Sequence, residues 1–266
     1  MNNNMRLIHW NVGGFSTATA KDRTKILDKL SPDVILMTEV RNNNGFEILY
    51  DKFITKKNMQ HLSSVNIANN TDSHPANARD KGKNGNLIIA KNIDFGEIIG
   101  PPGVSTNNNL KWIHVLLPDF DLEIGCFHSA NWSNKADCLN MYKWLWSKLK
   151  NKKEKFILMG DFNAVLYQQG REKDFPFKAK VNRHGQVVCD YKLKGHSHPL
   201  LKAFINHPEH LNYVVPEGGM QQYSQYKFKT LIDHALVTND LFKLKPVHWY
   251  HPGLGKDHKI SVLDFH

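Results

Sequence analysis

The sequence predicts one domain of many strands and few helices, with its chemistry at the strand ends. Three observations lead there. The apolar runs Val34-Ile35-Leu36-Met37, Leu87-Ile88-Ile89-Ala90 and Phe156-Ile157-Leu158-Met159 have the length and continuity of strands buried on both faces. A helical period is confined to a few segments, Thr19–Leu30 and Ala136–Leu149 foremost. Several apolar runs pass at once into polar or ionisable residues, and strand ends are where sheet enzymes place their reactive groups.

In chain order, Arg6 to His9 reads as a short strand ending at Trp10-Asn11-Val12-Gly13-Gly14. Thr19–Leu30 sets Ile26, Leu27 and Leu30 on one face, and Ser31-Pro32 stops it. Val34–Met37 ends at Thr38-Glu39. Residues 42–85, rich in Asn, Asp, Lys and Gly, are expected to hold loops and edge strands. Trp112–Leu117 and Leu122–Phe127 read as a strand pair joined at Pro118-Asp119. In Ala136–Leu149 the apolar face is Leu139, Tyr142, Trp146 and Leu149. The lysines that follow suit a helix C-terminus. Residues 164–230 form a long basic and aromatic connection, too long to lack structure of its own, with a helix expected near Pro199–Ile205. Thr230–Val237 and Ile260–Leu263 close the strand set. No repeat and no Pro- or Gly-rich linker divides the chain, so residues 1–266 read as one domain.

Composition narrows the partner. With 41% hydrophobic residues the chain can build a core, and 35 Lys and Arg against 25 Asp and Glu leave a formal charge of +10. That excess favours a polyanion, nucleic acid ahead of an anionic membrane surface. Three cysteines, Cys126, Cys138 and Cys189, fit no zinc or redox spacing and point to a reducing compartment, cytoplasm or nucleus, although a mature secreted form would look the same. No apolar run approaches membrane-spanning length, so stable membrane insertion is not expected. A monomer is expected.

Gly160-Asp161-Phe162-Asn163 follows the strand Phe156–Met159. Asp161 and Asn163, two residues apart, would point the same way along an extended chain. Gly160 would allow a sharp turn or a close approach to a ligand. An Asp there can hold a hard cation or position a water, and an Asn can donate to an anionic oxygen. Other strands end alike: Leu7–Trp10 at Asn11, Val34–Met37 at Glu39, Ile124–Phe127 at His128 and Asn131, and Leu231-Ile232 at Asp233-His234. Gly255-Lys256-Asp257-His258 precedes the last strand. Together they supply carboxylates, Asn and His, the inventory of a hard-metal, phosphate-cleaving site. His234 alternates away from Asp233 and is expected in the core or at the surface. His9 lies two residues before Asn11 and is a weaker candidate to line the site.

These blocks, "LIHWNVGG", "DVILMTEV", "CFHSANW", "ILMGDFNA", "LIDHALVT" and "GKDHKIS", in this order, resemble the six characteristic segments of the endonuclease/exonuclease/phosphatase (DNase I-like) superfamily from Arg6 to about Val262. The resemblance implies a four-layer α/β sandwich, with two packed, mainly antiparallel sheets flanked by helices. It also implies hydrolysis of a phosphoester with Mg2+ or Mn2+. Carried over residue by residue, Glu39, Asn11 and Asp257 would belong to the metal site. Asp161 would activate the attacking water and Asn163 would hold the scissile phosphate. His258 would contact that phosphate with its ring fixed by Asp233, and His128 would be a second catalytic histidine. Thr38 stands where the family commonly has Gln, and Leu231 where it has a basic residue. The alignable partner for His128 is Asn84 rather than an acid. Asn131 and Trp132 are candidates for substrate contact, Trp132 by stacking on a base or sugar.

The expected function is an endonuclease on DNA, supported by the charge and by the basic stretch Lys173 to Lys194. An AP-type or retroelement-type nicking enzyme is a variant of that reading. A phosphatase or phospholipase acting on inositol phosphates or lipid is the alternative. A binding module that has lost catalysis is disfavoured by the joint presence of Glu39, Asp161, Asn163, Asp233, Asp257 and His258.

Overall fold

The computed structural model describes residues 4–41, 43–65, 84–98, 104, 111–130, 134–150, 152, 155–164, 167–168, 178–181, 187–190, 211–219, 222–255 and 257–266. The strands, in order, are β1 Met5–Asn11, β2 Val34–Val40, β3 Gln60–Ser63, β4 Gly85–Ala90, β5 Phe95–Glu97, β6 Trp112–Leu117, β7 Leu122–His128, β8 Phe156–Asp161, β9 Tyr167–Gln168, β10 Lys178–Val181, β11 Val187–Asp190, β12 Asn212–Tyr213, β13 Thr230–Leu231, β14 Asp233–Val237, β15 Val247–His251 and β16 Ile260–Phe265. The main helices are α1 Thr17–Leu30, α2 Asn44–Tyr50 and α3 Lys135–Leu149.

Two six-stranded mixed sheets carry the architecture, in the orders β15-β16-β1-β2-β4-β3 and β12-β14-β8-β7-β6-β5. β1 pairs parallel with β2, β7 parallel with β8, and the other pairings within these two sheets are antiparallel. The alternation of each strand divides its residues between two layers. Leu7, Leu36, Ile88, Val115, Ile124, Ile157, Met159, Ala235 and Leu263 meet between the sheets. Ile8, Met37, Ile89 and Val262 pack instead with Leu27 of α1 and with Phe46 and Leu49 of α2. On the far side Phe127, Leu158 and Leu236 pack with Tyr142 and Leu145 of α3. The result is the expected order of helix, sheet, sheet, helix. Each large aliphatic side chain so buried contributes about 1.5–3 kcal/mol relative to leaving it in water.

The helices begin and end for local reasons. α1 stops at Ser31, which takes a left-handed conformation (φ 47°) just before Pro32. α3 is capped by Asn134, whose side-chain oxygen accepts the Asp137 N–H at 3.2 Å. α2 lies in a region read from sequence as loop and edge strand. The Asn43 side chain caps it by accepting from Gly45 N at 3.0 Å, and burial of Phe46, Leu49 and Phe53 stabilises it. Its polar neighbours concealed a tertiary contact that the local pattern does not show. The helix expected near Pro199–Ile205 lies outside the described residues. No helix among the described residues is long and apolar enough to cross a membrane.

Candidate active site

The inter-sheet layer turns polar where β1, β2, β7, β8 and β14 end or begin. Register brings these ends together: Asn11 pairs with Thr38, His128 with Asp161, and Asp161 with Asp233. Asn11, His128, Asp161 and Asp233 are all buried, and His258 joins them at 5% exposure from the turn before β16.

Asp161 is the centre. Its Oδ2 accepts from Asn11 Nδ2 at 2.8 Å and its Oδ1 from the Asn163 backbone N–H at 2.8 Å. Burial, then the neighbouring Asp233 charge, raise its pKa to about 7 despite those donors. Asp233 accepts from His258 Nδ1 at 2.9 Å, while His258 Nε2 points toward Asp161 Oδ2 at 3.9 Å. Burial pulls the His258 imidazolium down, but the charge and hydrogen bond of Asp233, aided by Asp161 and Asp257, outweigh it and lift the pKa to about 10. Burial also acts on Asp233, yet the His258 cation wins and holds that carboxyl below its ordinary value. Two carboxyl groups and one imidazolium thus share a buried cluster, with the ionisation of Asp161 the less favoured of the two carboxyls.

Backbone irregularities aim two of the groups. β2 carries a register shift between Met37 and Val40, and within it Glu39 takes φ 59°. By simple alternation Glu39 would follow Thr38 onto the helix side. The bulge turns it back so that Oε1 lies 3.6 Å from His128 Nε2. A left-handed Glu costs about 1–3 kcal/mol and persists only where its surroundings over-determine it. Asn163 has φ 48° and lies beyond the end of β8, so its place beside Asp161 comes from an Asx turn closed on Asp161 Oδ1, not from strand alternation. Its Nδ2 donates to Ser129 O at 3.0 Å. Gly160 serves a different purpose from the one expected. A Cβ there would stand 1.8 Å from Phe127 O, so glycine lets β8 approach β7 rather than a ligand.

His128 is buried with neither ring nitrogen hydrogen-bonded. Burial first, then Lys111, hold it well below the ordinary histidine pKa, so it is neutral. Asn84 is engaged by Arg41 Nε, and the acid facing His128 is Glu39. Lys111, at the start of β6, was not singled out by sequence. It is 8% exposed, donates from Nζ to Ser129 O at 3.3 Å, and feels the charges of Asp161 and Glu39. A lysine in a motif-free stretch gives no local signal of burial. His9 does line the site, with Nδ1 3.6 Å from Asp233 Oδ1. His234 lies on the α3 side, as expected, between Tyr213 O–H and Ala164 O. Asn131 and Trp132 lie outside the described residues, as does most of the basic stretch Lys173 to Lys194.

Which groups suit a divalent cation follows from their protonation. Asp161, Asp233 and His258 bring three possible ligand atoms within 4.8 Å of one another and could hold an ion. A protonated His258, however, offers a donor at Nε2 rather than a lone pair. The Glu39 and Asp257 carboxylates keep access to solvent, at 29% and 57% side-chain exposure, and both adjoin the end of β1. A Cβ on Gly13 would stand 3.7 Å from Asp257 Oδ2, and Glu39 O accepts the Gly14 N–H at 2.9 Å. Open carboxylate oxygens are donors that a hard cation takes, so Glu39 and Asp257 are candidates for it beside the inner cluster.

Fold and polar cluster together are those of the class of metal-dependent nucleases and phosphatases. The profile of the endonuclease/exonuclease/phosphatase family matches residues 8–258, and the chain belongs to that family. No curated protein sequence matches it. Among solved structures it is similar to the 3'-5' exonuclease NExo from Neisseria meningitidis, with TM-score 0.67, 12% identity, and 98% of this chain and 99% of that one covered. It is similar to an AP endonuclease from Archaeoglobus fulgidus, with TM-score 0.68, 13% identity, and 98% and 99% covered. It also resembles a humanized D. rerio TDP2, with TM-score 0.62, 12% identity, and 99% of both chains covered. At these identities the likeness shows the fold alone.

Proposed function

We propose that this protein is a divalent-metal-dependent phosphodiesterase that cleaves DNA as an endonuclease, acting as a monomer. The observation that carries the reading is the held carboxylate of Asp161, gripped by Asn11 and the Asn163 N–H and faced by the His258–Asp233 pair. In this reading Asp161 takes a proton from a water whose oxygen attacks phosphorus, and the bond from phosphorus to the leaving oxygen breaks, that oxygen keeping the electron pair and taking a proton from solvent. The His258 imidazolium donates from Nε2 to a non-bridging oxygen as charge builds there, and Asn163, His128 and Lys111 line the same phosphate. A Mg2+ or Mn2+ ion, held by Glu39, Asp257 and Asn11, would add Lewis-acid stabilisation of the phosphoryl oxygens. The formal charge of +10 supports a polyanionic substrate. NExo has been solved bound to a product DNA hairpin, which supports DNA in particular.

The test is turnover with Mg2+ or Mn2+ on supercoiled plasmid, linear duplex, an abasic duplex, RNA and an inositol polyphosphate. Plasmid nicking that EDTA and Asp161→Ala both abolish is the expected result. Phosphate released from the inositol compound, with every nucleic acid left intact, would reassign the protein to the phosphatase reading.

A further inference from the structure

We propose that His9 is a positioning residue that clamps the second oxygen of Asp233 and thereby sets the direction of His258. The inference rests on the reading of His258 as a phosphate-contacting group.

Asp233 is fully buried, and nearly all of it is tied down. Its N–H donates to Ser224 Oγ at 3.0 Å, its carbonyl accepts the Tyr250 O–H at 2.6 Å, and its Oδ2 accepts from His258 Nδ1. The Ser224 hydroxyl also bears on the carboxylate, yet Oδ1 has no hydrogen-bond partner of ordinary geometry. His9 Nδ1, also buried and also without a partner, lies 3.6 Å from it. An unsatisfied buried carboxylate oxygen is costly, and here the missing donor and the missing acceptor face each other. A small ring movement brings them to the usual N–H···O length of about 2.9 Å.

The tautomer follows from the other side of the ring. A neutral imidazole has one N–H and one acceptor. Its Nε2 lies 3.3 Å from Thr38 Oγ1. When the Thr38 hydroxyl donates to Nε2, the ring proton sits on Nδ1 and points at Asp233. Thr38 then donates to His9 and His9 to Asp233 Oδ1, while His258 donates to Oδ2 from the other side, so the chain converges on the carboxylate. With a single oxygen held, the carboxylate could rotate and swing His258. With both held, Nε2 has one direction, toward Asp161.

Two substitutions at His9 separate positioning from packing. His9→Leu keeps apolar volume and removes the donor, whereas His9→Asn keeps an N–H near the position of Nδ1. His9→Leu should lower kcat for plasmid nicking about 10–100-fold, the range for such supporting contacts, with KM within about 2-fold. His9→Asn should recover most of that loss. The low-field proton resonance of His258 Nδ1–H, recorded without substrate or metal, should be sharp in the parent and in His9→Asn and broadened in His9→Leu. Should His9→Leu not fold, Thr38→Val interrupts the same chain and should broaden the resonance and lower kcat in the same direction. An unchanged resonance and kcat in His9→Leu, or in Thr38→Val where that is the variant read, overturns the proposal; so does equal loss in His9→Leu and His9→Asn. If the parent turns over no phosphoester, the proposed function fails, while the resonance still judges the clamp.

Discussion

Along the inner faces of β1, β2, β7, β8 and β14 the inner rungs are Leu7, Leu36, Ile124, Ile157 and Ala235. One or two rungs further along the same strands stand His9 and Asn11, Thr38, His128, Asp161 and Asp233. Both sets are buried to a similar degree, so burial alone does not separate structure from chemistry. The apolar rungs gain free energy by leaving water. The polar rungs lose it and persist because they satisfy one another, His258 on Asp233 and Asn11 on Asp161. Even so, Asp161 is held with a raised pKa and His128 with neither ring nitrogen hydrogen-bonded, a pattern that the apolar rungs lack and that the proposed function accounts for.

The sharpest way to break the contrast is Asp161→Asn. It removes the proton acceptor while keeping shape, so nicking should fall by roughly 10³-fold or more, as loss of a catalytic base does. Melting temperature should hold or rise, since a strained carboxyl is gone; a calorimetric scan with a plasmid assay checks both. On the apolar rungs the reverse is expected. Ile157→Ala should cost about 2–5 kcal/mol of stability, read by urea denaturation, while kcat of the folded fraction stays within a few-fold. If Ile157→Ala instead silenced the folded enzyme, the two ends would not be separable.

Smaller effects sharpen the boundary. Glu39→Gln should weaken divalent-ion binding about 10–100-fold, read as a rise in the Mg2+ concentration needed for half-maximal activity. An unchanged requirement would place the ion elsewhere, with the inner Asp161, Asp233 and His258 cluster next to be tested.

pH supplies the last two comparisons. Asp161 must be ionised to accept a proton; its pKa is raised to about 7 before a cation binds, so the acidic limb of kcat/KM for the metal-loaded enzyme should fall at or below pH 7. For His258 the sign is opposite to that of a salt-bridged carboxylate. Its folded pKa, about 10, lies above the unfolded 6.5. Its stabilisation is complete below about pH 6.5 and is lost as pH rises through 10. The fall in Tm between pH 7 and 10 should therefore be shallower in His258→Gln than in the parent, and an equal fall would remove this pair from the stability balance.

Much of this was legible in one dimension because strands and their ends are local. Phe156–Met159 reads as a buried strand from four consecutive apolar residues, and Asp161 follows it whatever the rest of the chain does. The six blocks were recognisable because each pairs an apolar run with a polar terminus. Elsewhere the local pattern misled or was silent. α2 looked like a loop because Asn, Asp, Lys and Gly dominate residues 42–85 around the short apolar set Phe46, Ile48 and Leu49, whose value comes from packing with α1 and the first sheet. Gly160 looked like a ligand-facing turn, whereas its lack of a Cβ answers to Phe127 on the next strand.

The sequence by itself determined the long buried strands, the polar residues that close them, and the family to which the chain belongs, because side-chain alternation and hydrophobic runs act over a few residues; it missed the edge strand β15 and the break that separates β13 from β14. Tertiary structure alone decided that the polar ends of five strands meet, that a bulge turns Glu39 inward, and that Lys111 and His9 join them. Those facts depend on strand register and sheet packing between residues far apart in the chain, and it is the resulting shared burial that raises Asp161 and His258 from ordinary side chains to a candidate catalytic pair.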